Sequence, residues 1–72
     1  MAATYTAVIQ QHEQWWIGWV EEVPGVNSQG VTREELLQNL RDALAEALEM
    51  NREDARTAAA AAGDFEEVEL AP

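Results

Sequence analysis

The chain has 72 residues, no cysteine, and four arginines without lysine against fourteen acidic residues, for a formal net charge of -10. This excludes disulfides and thiolate metal sites, and it argues against nucleic-acid binding, which needs clustered cations to displace phosphate counterions. A single domain of this size buries only about 60% of its unfolded surface, so association is the expected reinforcement. No basic leader followed by an apolar run stands at the start and no apolar stretch approaches membrane-spanning length, so the expected location is the cytoplasm.

In chain order, Thr4 to Gln10 (TYTAVIQ) is β-branched and aromatic and reads as a first strand. The polar QHEQ, Gln11 to Gln14, supplies a turn. Trp15 to Val20 (WWIGWV) is the second strand of a hairpin. Pro24-Gly25 bends the chain, and Val26 to Gly30 forms a short third strand, with Gly30 expected to give the strand-to-helix corner its backbone freedom.

Thr32 and Glu35 have the T-x-x-E spacing of a capping box, so a helix starts at Arg33. At 100° per residue, Leu36, Leu37, Leu40, Ala43, Leu44, Ala47 and Leu48 form one apolar stripe, as in a helix lying on a sheet. Asp54 returns to that stripe, so packing should end near Met50 or Asn51. The alanine-rich stretch to Ala62 keeps helix propensity, either as the same helix or a new one, with Gly63 as its stop. Phe65 to Leu70 (FEEVEL) has the alternation of a final edge strand, with Val68 and Leu70 on one face.

Alternation within the second strand puts Trp16, Gly18 and Val20 on one side and Trp15, Ile17 and Trp19 on the other. Both sides are apolar, yet only one amphipathic helix is available to cover a three- or four-stranded sheet. Gly18, lacking Cβ, selects its own side for the helix. Trp15, Ile17 and Trp19 are left outward, either as self-association candidates for a homodimer or higher oligomer or, on the blander reading, under a carboxy-terminal segment folded back over them.

Catalytic signatures are lacking. His12 is the sole histidine and falls in the predicted turn, and no nucleophile triad, phosphate loop or H-E-x-x-H motif is present. The expectation is a protein that is not an enzyme and has no cofactor. Glu35, Asp42, Glu46, Glu49 and Glu53 align along one flank of the helix, with few cations to neutralise them. Such a flank is ordinarily just solvated; a docking site for a basic protein is the sharper reading.

The order YTAVIQ, WWIGWVEEVPGV, SQGVTREELLQNLRDALAEALE resembles the HicB-like antitoxins of bacterial type II toxin-antitoxin systems. Pro24, Gly25, Ser28, Gln29, Gly30, Thr32, Glu34, Glu35, Leu36, Asn39 and Ala43 carry the pattern, within Tyr5 to Glu49. The resemblance implies an α+β, βββα(β) fold described as a partial RNase H-like domain without catalytic carboxylates. It also implies binding to HicA, a small basic mRNA-cleaving toxin. Glu21 stands where that family frequently has proline, which implies a different exit from the second strand. The alanine-rich end replaces the family's frequent DNA-binding extension, so direct DNA binding is not expected. A standalone oligomeric domain with a structural role is the alternative.

Overall fold

A computed structural model describes residues 4–71. Three strands, β1 (Ala7–His12), β2 (Trp15–Val20) and β3 (Asn27–Gly30), form an antiparallel sheet in the order β1-β2-β3, and one helix, α1 (Arg33–Ala62), follows. The domain is therefore α+β with βββα order.

β1 lies later than the expected Thr4 to Gln10. Its polar end is drawn into the ladder by β2, with Gln11 opposite Trp16 and His12 opposite Trp15. The loop shrinks to Glu13 and Gln14, and His12 becomes a strand residue rather than a turn residue. Before β1, Thr6 is held by other means: its carbonyl accepts from Glu21 N-H at 2.9 Å and its own N-H donates to Glu22 Oε1 at 2.7 Å. The bond from Glu21 is one that a proline at that position has no N-H to make.

The turn carrying Pro24 and Gly25 is closed by Val26 N-H to the Val23 carbonyl, while Val20 N-H reaches the Val26 carbonyl and extends the β2-β3 ladder. At the helix start Thr32 is extended (φ -124°, ψ 162°), and its Oγ1 accepts from Glu35 N-H at 3.1 Å. Glu35 Oε1 reaches back to the N-H of Val31, one residue earlier than the usual reciprocal bond.

The helix covers the face that Gly18 selects. A Cβ placed on Gly18 would lie 3.3 Å from Leu36 Cδ2 and 3.0 Å from Ile9 Cγ2, so these side chains occupy the space glycine leaves. Val20, Val26, Leu36 and Leu40 are buried, and Ile9, Trp16, Val23, Ala43, Leu44 and Ala47 pack around them. Apolar burial at about 25 cal/mol per Å² makes so few side chains a thin core.

Packing on the sheet fades after Leu48, and Met50 is 63% exposed. The helix nevertheless continues without a break to Ala62, because alanine needs no tertiary partner to stay helical. It ends at Gly63, whose φ of 138° suits glycine and whose N-H bonds to the Ala59 carbonyl. The expected final strand does not join the sheet within this chain. Phe65 to Leu70 has no ladder, because the long helix delivers it beyond the end of the strands; it is tied instead to the distal helix by Arg56 Nε donating to Glu67 Oε1 at 2.7 Å.

Candidate functional site

The face of the sheet away from α1 is assembled from three cross-strand rows. Val8, Trp19 and Asn27 form one, Gln10, Ile17 and Gln29 the next, and His12 with Trp15 the last. Trp15 and Trp19 are 44% and 41% exposed, with Ile17 half-buried between them. No Asp, Glu or Arg sits in these rows, although the chain as a whole is strongly acidic. His12 Nε2 lies 3.4 Å from Gln10 Oε1, which gives the surface a polar corner beside Trp15. The three residues expected to point outward are thus brought together on an uncovered apolar strip.

The five acidic residues of the helix flank are all exposed, and they face away from the sheet. They are not equivalent. Glu35 is occupied by capping, Asp42 accepts from Gln38 Nε2 at 3.0 Å, and Glu49 pairs with Arg52 at 3.4 Å. Among the described residues Glu46 and Glu53 have no cation within 4 Å. Because α1 lies on one side of a single sheet, the acidic flank and the indole strip point in opposite directions.

Pro24, Gly25, Gln29, Gly30 and Thr32 hold the frame. The notable member is Gly30, where an added Cβ would lie 2.7 Å from the Leu36 backbone nitrogen and 3.2 Å from the Glu35 carbonyl carbon. Its φ is not positive, so the corner needs glycine for close approach rather than for an unusual backbone angle. Gln29 contributes through its backbone: its carbonyl accepts from Asn39 Nδ2 at 2.9 Å.

Two features escaped the sequence reading. One is the Asn39 bond across to β3, which joins residues ten apart and has no local signal. The other is a cleft of about 200 Å³ between the start of β1 and the helix, lined by Tyr5, Ala7, Val20, Leu37 and Leu44 with Arg41 beside them. Leu37 and Leu44 belong to the predicted stripe, but that stripe is wider than the sheet beneath it. Among the described residues no cluster of three His, Asp or Glu side chains is placed to hold a metal ion, and no helix is long and apolar enough to cross a membrane.

No family model matches the chain, and neither a curated protein nor a solved structure matches it.

Proposed function

We propose that this chain is an antitoxin-type binding protein of HicB-like character, acting in the cytoplasm by covering a small basic HicA-like mRNA-cleaving toxin. It performs no catalytic step. The observation that carries the reading is the acidic helix flank, where Glu46 and Glu53 have no cation within 4 Å among the described residues, on a surface separate from the apolar strip. Opposite charge steers a basic partner to that flank, and self-association through Trp15, Ile17 and Trp19 leaves it free. The partial RNase H-like fold implied by the resemblance belongs to the same reading.

Co-expression with a small basic protein encoded by a neighbouring gene tests this. The expected result is a complex that suppresses mRNA cleavage and weakens as salt shortens the Debye length from about 30 Å at 0.01 M to about 3 Å at 1 M. Glu46→Lys with Glu53→Lys should weaken the complex and leave the fold intact. Cleavage unaffected by a stoichiometric excess of this chain would reject the assignment.

The exposed indoles favour a second reading, a standalone homo-oligomeric domain with a structural role. It predicts stable oligomers and no basic protein co-purifying from the native cell.

A further inference from the structure

The two edges of the sheet are finished differently. At β3 the helix closes the edge itself, through Asn39 and the Gln29 carbonyl. At β1, Thr6 and Glu21 form a hydrogen-bonded pair, and the alternation of an antiparallel ladder then turns the N-H and C=O groups of Ala7, Ile9 and Gln11 outward. Among the described residues no strand lies beside them. Directly below this edge lies the apolar cleft of Tyr5, Ala7, Leu37 and Leu44 with Arg41 at its side, and Arg41 has no carboxylate within 4 Å among the described residues.

A row of free backbone groups above an apolar cleft with a cation fits an extended segment that mixes apolar and acidic residues. Phe65 to Leu70 is such a segment. Glu66, Val68 and Leu70 share one side of it in extended form, and Val68 and Leu70 are 68% and 90% exposed. Their own chain cannot lay this segment along the cleft as a strand. Leu44 and Gly63 stand about 28 Å apart along the helix, whereas Asp64 through Leu70 reaches at most about 25 Å.

We propose that Phe65 to Leu70 of a second copy adds as a fourth strand to the free edge of β1. Val68 and Leu70 enter the cleft beside Leu37 and Leu44, and Glu66 meets Arg41. Releasing the tail gives up the Arg56-Glu67 pair, whose side chains are 49% and 62% exposed and which therefore opposes the exchange weakly, together with the partial cover that Phe65, itself 51% exposed, finds beside Ala55 and Ala59. Each copy donates one tail and accepts one, so the contact closes as a twofold dimer. It uses neither the indole strip nor the acidic flank.

The chain has no cysteine, which allows single-cysteine pairing of full-length proteins. Mixing Ala7→Cys with Val68→Cys under mild oxidation should give the mixed disulfide dimer, and pairing Trp15→Cys with Val68→Cys should not. In native mass spectrometry the dimer should weaken at least tenfold on Val68→Asp with Leu70→Asp, substitutions at exposed positions whose retained fold circular dichroism checks. Arg41→Glu should weaken it too, and Glu66→Arg should restore it. A wild-type chain that stays monomeric at high micromolar concentration overturns the proposal. So does a dimer indifferent to the tail substitutions but lost on Trp19→Ser, or an Ala7-Val68 disulfide that forms only within one chain.

Discussion

At Gly30 the constraint is a distance: a methyl group there meets the backbone of the first helical turn at 2.7 Å, and backbone cannot rotate aside as a flexible side chain can. Gly30→Ala should therefore destabilise the fold by about 1 to 3 kcal/mol, read as a lower urea midpoint. The sequence marked this position correctly and gave the wrong reason, because proximity of Leu36 to Gly30 depends on how the helix folds back over β3. Thr32 was legible in full, since a cap involves only residues three apart. Glu22 was not legible. Its carboxylate is held below the ordinary glutamate value by the Thr6 N-H that it accepts. With a lowered folded value, its contribution is complete above the unfolded value of about 4.3 and is lost as pH falls through the folded one. Glu22→Gln should thus cost a little stability at pH 7 and progressively less as the pH falls below the unfolded value, a comparison that thermal melts across that range can make.

At the level of elements, α1 is one helix in hydrogen bonding and two in packing. Leu36 to Ala47 rests on the sheet, whereas Asn51 to Ala62 is exposed apart from Ala59, which touches the tail side. Local opening of the distal half exposes almost no apolar surface, so its amides should exchange at least about 100-fold faster than those of Leu36 to Leu44 in hydrogen-exchange mass spectrometry. Asp54 in the apolar stripe signalled where packing stops. It did not signal where the helix stops, because propensity and packing are separate contributions and alanine supplies the first without the second. The hairpin was legible from its two apolar runs, but β1 runs two residues further than expected, since Gln11 and His12 are strand residues only by virtue of facing Trp16 and Trp15.

For the whole molecule, the four buried apolar side chains among the described residues support a domain that exposes two tryptophans on one face and Val68 and Leu70 on its tail. Burying a tryptophan removes about 150 to 250 Å² from water, so association through that face would contribute a large share of the apolar burial available to this chain. The melting temperature should accordingly rise with protein concentration, and the dependence should become shallower on Trp15→Ser with Trp19→Ser, the tail exchange supplying what remains; differential scanning calorimetry over a hundredfold concentration range measures it. The indole strip was readable beforehand because strand alternation needs no knowledge of neighbours. The cleft at Leu37 and Leu44 was not, because its emptiness depends on β1 being the last strand of the sheet.

What the sequence determined alone is therefore everything set by short spacings: the helix start at Thr32, the stop at Gly63, the two faces of β2 and the acidic flank of α1. Each depends on dihedral preference or on side-chain periodicity within a few residues. Only the tertiary structure decided which sheet edge Asn39 closes, which edge stays open, and that FEEVEL lies too far along the helix to reach it. Those outcomes follow from distances between residues remote in the chain, which the length of one uninterrupted helix sets and no local pattern encodes.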